Sequence, residues 1–281
     1  MKCEVLIVKS KVDERMYHNI RSSLKEDAIS DGIFLVLETP GGDQMYAYRT
    51  MKYLDNLYKG KPVYVIVPDM AMSAGTLMAL GADKIFMFPD SCIGPLDPQK
   101  PHPEDDTMIS TLDIRDAVST IAAQTAAITG IILQNHLEMG MPKTLAVNLA
   151  TDSAVKLFQP ITSKIDPYHL NESVRVSELN SIYGARLLMM RMTKGDSSMA
   201  VNISSGLTNN YTFHGYAITL DEALSKGLIV EDLSYLSEWK QIKKSYQKIQ
   251  KPGIMIETMD FGTKNKDNDQ KTQKEKGIKN E

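Results

Sequence analysis

Ile33-Phe34-Leu35-Val36-Leu37-Glu38-Thr39-Pro40-Gly41-Gly42-Asp43 decides how the rest of the chain is read. Five consecutive apolar residues after Asp31-Gly32 are the pattern of a strand covered on both faces. Pro40-Gly41-Gly42 then breaks it sharply, and Asp43 stands where a helix N-cap belongs, ahead of an amphipathic segment reaching Tyr58. A buried strand, a glycine turn and a helix form the opening of a βα unit.

The same grammar recurs on both sides. Glu4–Val8 reads as a first strand, and residues 13–29 carry Met16, Ile20 and Leu24 at helical spacing. Val63–Val67 is a second fully apolar strand, followed by a Met/Ala/Gly-rich turn and a helix from about Ser73 to Gly81; Ile85–Phe88 is a third. Strands alternating with helices imply βαβ units and a mainly parallel sheet. The ligand site of such a sheet lies outside the C-terminal ends of its strands. Further on, a helix is expected at 111–138, with Ile114, Val118, Ile121, Ile128 and Ile132 near a 3.5 spacing. Others are expected at 143–157, 178–193 (capped by Ser177), 220–227 and 237–250. The chain divides into a domain over 1–260 and a charged tail, 261–281, too poor in apolar residues to offset its ordering entropy.

Composition excludes several classes. Of the 281 residues 42% are hydrophobic and 24% charged, with a formal charge of -3, so no global basic field invites nucleic acid. Two cysteines, Cys3 and Cys92, cannot build a disulfide framework or a thiolate metal cage, and the five histidines show no metal spacing. No metal and no cofactor are expected. No apolar run approaches the roughly 20 residues of a membrane span, which excludes a membrane-spanning protein, and the short apolar N-terminus does not read as a signal peptide. The expectation is a cytoplasmic protein.

Two strand ends carry the chemistry. At the first, Gly41 and Gly42 let backbone N–H groups face outward with no Cβ in the way, a cradle for phosphate or a developing oxyanion. No Lys-Ser/Thr follows at Walker spacing, which argues against a nucleotide. The second is Met70-Ala71-Met72-Ser73-Ala74-Gly75-Thr76. Ser73 is either the N-cap of the helix or a nucleophile on a tight turn. With both ends at one depth, the N–H groups of Gly42 and Ala74 could converge on one carbonyl oxygen. Met70, Met72 and Met78 are read either as a pliant apolar wall beside Ser73 or as core.

Here the chain resembles a family. Pro40-Gly41-Gly42, Ser73-Ala74-Gly75, Gly81-Ala82-Asp83-Lys84-Ile85, Gly94-Pro95-Leu96-Asp97-Pro98-Gln99 and Thr212–Thr219 with Glu222-Ala223 and Gly227-Leu228 are similar to the serine dehydrogenase proteinase family of the Clp protease/crotonase superfamily, related to signal peptide peptidase A. The resemblance covers roughly 30–100 and 205–232. It implies an α/β fold built as a spiral of ββα units with added C-terminal helices. It also implies serine endopeptidase activity, Ser73 as nucleophile and Gly42 with Ala74 as oxyanion hole, with Gly41 and Met72 against an extended peptide substrate. The base is left open. Signal peptide peptidase A relatives use a lysine 40–50 residues after the serine, where this chain has Arg115 and no lysine; Lys100, Lys143 and Lys156 lie at other spacings. Clp proteases use a His and then an Asp. Here the types look exchanged, with Asp97 near the His position and His214 near the Asp position, so His214 is read as base and Asp97 as its orienter. Their bland readings are a turn residue and a capping histidine.

The resemblance further implies a homo-oligomer, and a separate ATPase or membrane-protein partner for any energy-dependent or membrane role. Two other functions compete: a crotonase-type acyl-CoA hydratase or isomerase using the same oxyanion hole, and a catalytically silent scaffold.

Overall fold

The computed structural model describes residues 1–24, 30–101, 108–211 and 213–262. The first half alternates as the sequence implies. It runs β1 (Lys2–Lys9), α1 (Glu14–Ser23), β2 (Gly32–Leu37), α2 (Gln44–Leu57), β3 (Val63–Val67), β4 (Met70–Ala71), α3 (Ala74–Leu80), β5 (Lys84–Met87) and β6 (Cys92–Ile93). A short hairpin, β7 (Gln99–Pro101) and β8 (Met108–Ser110), leads to the helices α4 (Thr111–Glu138), α5 (Lys143–Thr162), α6 (Pro167–Met190), α7 (Ser197–Asn209) and α8 (Leu220–Ser225). The chain then returns to the sheet as β9 (Val230–Asp232), packs α9 (Trp239–Lys248) and adds β10 (Gly253–Asp260).

The main sheet has the order β10-β1-β2-β3-β5-β9. Its neighbours from β1 to β9 are parallel, and β10 runs antiparallel along β1. Alternation along each strand feeds two cores. Leu6, Val8, Leu35, Leu37, Val65 and Val67 face one layer with Met51, Leu54 and Leu77. Val5, Ile7, Phe34, Val36 and Ile66 face the other with Trp239 and Ile242 of α9. Both faces are covered, as the all-apolar strands require.

A second, smaller layer sits at the C-terminal ends of these strands. β4 pairs in parallel with β6, Thr39 makes a parallel bridge to Ala71, and Ile93 an antiparallel bridge to Ile218. Each unit is thus a long strand, a short excursion into this layer and, after the first two, a helix. That is an α/β spiral of ββα units with a mainly parallel sheet, and further helices follow it.

Several expectations need correction. α6 starts at Pro167, its N-cap Asp166 accepting from the Tyr168 N–H, and Ser177 is buried inside the helix instead of capping it. Proline at the first helical position sets the start there. Neither α7 nor β10 is among the expected elements. Most of the expected tail, residues 263–281, lies outside the described residues, as do residues 25–29 of the expected 13–29 helix.

The exclusion of any span-length apolar helix also fails. α4 is long and apolar enough to cross a membrane by length and composition, and its most apolar window is not buried in the chain. From Ala117 to Leu137 it carries no Asp, Glu, Lys or Arg. Interspersed Thr and Gln hide the run from a search for strictly apolar residues. α5 packs on α4 through Ala146, Ala150 and Ala154, spaced four apart and buried, while Leu145, Val155, Leu157 and Ile161 stay exposed.

Candidate active site

The turn after β2 is held from both sides. Val12 N–H donates to the Gly41 carbonyl at 2.9 Å and Asp43 N–H to the Val12 carbonyl at 2.8 Å, so this edge of the turn is filled by the chain itself. On the other side Thr39 N–H bonds Met70 O and Met72 N–H bonds Thr39 O, both at 3.0 Å. In a parallel bridge the residue between the bonded neighbours points its own N–H to the opposite edge. Gly42 therefore turns its N–H away from Val12, toward the side of residues 70–73. Its φ is +145°, and a Cβ there would lie 2.1 Å from the Val12 carbonyl oxygen, so only glycine fits.

Gly41 serves differently from expectation. Its N–H is taken by Thr39 Oγ1 at 3.1 Å and its carbonyl by Val12, which leaves neither for a substrate strand. What Gly41 supplies is closeness, since a Cβ on it would lie 3.0 Å from the Ser73 Cβ.

Ser73 joins β4 to α3 with φ 49° and ψ -110°, a left-handed conformation strained for a residue with a Cβ. Its side chain makes no capping hydrogen bond, and among the described residues its hydroxyl has no hydrogen-bond partner. The capping reading therefore fails: a serine N-cap adopts extended backbone and accepts from the first turn. Ala74, the first residue of α3, has an N–H with no intrahelical acceptor.

Gly94 closes the other flank. A Cβ there would come within 3.3 Å of the Ser73 nitrogen and 2.7 Å of the Met72 Cε. Thr76 Oγ1 accepts from Gly94 N–H and donates to Ala71 O, each at 2.8 Å, pinning this loop to α3. Met72 thus packs over Gly94, Met78 is fully buried in the core, and Met70 lines a cavity beside Pro40.

Asp97, three residues beyond Gly94, is 1% exposed and receives His214 across 117 positions of sequence: Nδ1 to Oδ1 is 2.7 Å. Its second oxygen accepts from Ser110 Oγ at 3.0 Å, and Ser110 in turn caps α4 by accepting from Leu112 N–H at 3.1 Å. The Ile93–Ile218 bridge carries the 214–218 segment to the same strand end whose Gly94 touches Ser73. The imidazole keeps its Nε2 edge for other contacts. Ser110 and Thr39 were not among the residues singled out from sequence. A serine before Thr111-Leu112 signals a cap, but nothing local ties it to a carboxylate thirteen positions away.

Of the candidate lysines, Lys143 and Lys156 join no such cluster among the described residues. Lys156 is exposed and paired with Asp152 on α5 at 2.6 Å, and Lys143 is exposed at the start of that helix. The side chains of Lys100 and Arg115 lie outside the described residues, as does His102. His18 and His169 are exposed beside Glu14 and Glu172.

Known proteins were compared with this chain. A Methanocaldococcus jannaschii protein, MJ0137, is 42% identical over 88 residues, 31% of this chain and 28% of that protein. From the same organism MJ0651, whose name marks it as a proposed protease, is 31% identical over 84 residues, 30% of this chain and 27% of its own length. The matched stretch thus spans about a quarter of each relative. Among solved structures, the 1510-N membrane protease specific for a stomatin homologue, from Pyrococcus horikoshii, is 22% identical over 54% of this chain and 68% of its own, with a TM-score of 0.29. A mutant of 1510-N in complex with a substrate peptide is 24% identical over 53% and 65%, with a TM-score of 0.34. Residues 7–134, which hold the Pro-Gly-Gly turn, Ser73 and Asp97, match the model of the ClpP-like SDH-type serine proteinase family.

Proposed function

We propose that the protein is a serine endopeptidase that cleaves peptide bonds through an acyl-enzyme on Ser73. The observation that carries this reading is the 2.7 Å hydrogen bond between His214 Nδ1 and the buried Asp97. A buried carboxylate on Nδ1 fixes the proton there and leaves Nε2 as the basic atom. In this reading Nε2 removes the Ser73 proton as Oγ attacks the carbonyl carbon. The oxyanion is held by the N–H groups of Gly42 and Ala74, and the imidazolium then protonates the leaving amine. Water, deprotonated by the same nitrogen, hydrolyses the ester and restores Ser73. Thr39 and Ser110 act as positioning residues, one for the Gly41–Gly42 turn and one for Asp97.

The substrate chain approaches along the edge not used by Val12, since that edge is already paired. A homo-oligomer, with the exposed apolar faces of α4 and α5 as its contact, belongs to the same reading.

The test is a fluorophosphonate probe with the adduct located by mass spectrometry. Labelling at Ser73 that is lost in His214→Ala supports the triad. A folded protein that takes no label at Ser73 overturns it and favours the acyl-thioester or scaffold readings.

A further inference from the structure

A cavity of about 280 Å³ opens beside the Gly41–Gly42 turn. Its walls come from the ends of β1 and β2 and from Lys251-Pro252 just ahead of β10. Pro40, Met70 and Pro252 give it apolar lining; Lys9, Lys11 and Lys251 line it as well, against one acidic residue, Glu38.

Glu38 cannot neutralise all three. It is 6% exposed, with Lys9 at 3.6 Å from Oε2, Lys251 paired to Oε1, and the Tyr246 hydroxyl donating to Oε2 at 2.7 Å. Lys9 is itself fixed, its ammonium 3.6 Å from the centre of the Tyr246 ring. Burial alone would raise the Glu38 pKa. The Lys251 and Tyr246 hydrogen bonds and the two ammonium charges outweigh it and hold the carboxyl below its ordinary value, so it stays ionised. Two positive charges remain in excess, and Lys11 is exposed with no ion pair among the described residues.

We propose that this cavity is a subsite for a carboxylate of the peptide substrate, recognised by Lys11 together with the Lys9–Glu38–Lys251 cluster. The inference rests on the peptidase reading above and adds its specificity. Thr39 and Pro40 wall the cavity, and the Gly41–Gly42 turn follows directly, so the subsite adjoins the proposed oxyanion position. The carboxylate belongs either to an Asp or Glu side chain or to the substrate's C-terminus, in which case the enzyme cuts near chain ends.

The experiment uses full-length Ser73→Ala protein and fluorescein-labelled heptapeptides on an alanine background. A Glu or Gln is scanned through each position, and every peptide is made as free acid and as C-terminal amide. Anisotropy titrations are expected to give about fivefold tighter binding for the acidic member of a pair, the worth of one well-placed ion pair. That preference should fall to about one in Lys11→Ala, reverse in Lys11→Glu, and shrink with salt. Discrimination between Glu and Gln assigns the side chain; discrimination only between free acid and amide assigns the terminus. Equal binding of all peptides to the unsubstituted pocket overturns the subsite. Fluorophosphonate labelling of the protein with Ser73 intact separates the two ideas. Labelled Ser73 without acid discrimination removes the subsite alone, whereas no label and no peptide binding removes both.

Discussion

Asp97→Asn removes one charge at nearly constant volume, and the geometry fixes what that costs. In the proposed mechanism His214 becomes an imidazolium in the transition state, its charge centre about 4 Å from the Asp97 carboxylate. At an effective dielectric of 20 that pair is worth about 4 kcal/mol, or roughly three orders of magnitude in rate. Ser110 adds a second effect. Its hydroxyl donates to Oδ2, so an asparagine that keeps its oxygen toward Ser110 turns its NH₂ toward His214 Nδ1. The imidazole proton then moves to Nε2, the atom proposed as the base, and losses of about 10⁴-fold have that origin elsewhere. The readout is the second-order rate of fluorophosphonate labelling at Ser73, followed by intact mass, beside thermal melts by circular dichroism. The expected rate falls about 10³–10⁴-fold with the fold retained. A rate within tenfold of the parent, in a variant that melts normally, would show that Asp97 does not orient the base.

Three further outcomes follow from the same geometry. Thr39→Val keeps the β-branched shape but strips the buried Gly41 N–H of its acceptor, so urea unfolding should show a loss of about 1–3 kcal/mol, with slower labelling of Ser73; unchanged stability and rate would sink the positioning role. Glu38, held below its ordinary value of 4.5 in the folded chain, stabilises the fold above that pH and loses this contribution as pH falls through its lowered value. The stability gap between the parent and Glu38→Gln should therefore narrow from pH 7 to pH 3, and a constant or widening gap contradicts the assignment. Burial pushes the Cys3 thiol up to about 11, so iodoacetamide at pH 8.5 should leave it unmodified until the chain is unfolded; reaction at the rate of a free thiol would refute its burial.

Legibility in the sequence followed the physics of each element. Ile33–Leu37 and Val63–Val67 were readable because a strand covered on both faces tolerates nothing polar, and Asp43 was readable as a cap because it precedes a periodic segment. The α6 start was missed because Ser177 offered a local cap signal, while the stronger pair Asp166-Pro167 lay outside every expected element. β10 was missed because Gly253–Asp260 is half exposed at a sheet edge, and edge strands lack the apolar run. For the site, the Gly41–Gly42 turn, Ser73, Asp97 and His214 were all visible as residue types at strand ends. That Asp97 meets His214 depends on the Ile93–Ile218 bridge, a pairing between distant segments. Ser110 and Thr39 act through single oxygens that only the folded backbone brings into reach.

The bridge from Val12 to the Gly41–Asp43 edge has a practical consequence for the front of the chain. Residues 1–13 are a backing plate for the Gly41–Gly42 turn: they hold one rim of it while the Ser73 segment forms the other. Displacing β1, by trimming, by a bulky fusion or by loosening β10 alongside it, would leave Ser73 and His214 chemically intact while the Gly42 amide lost its aim. Inactivation from the N-terminus would then look like a catalytic defect, although no catalytic group had changed.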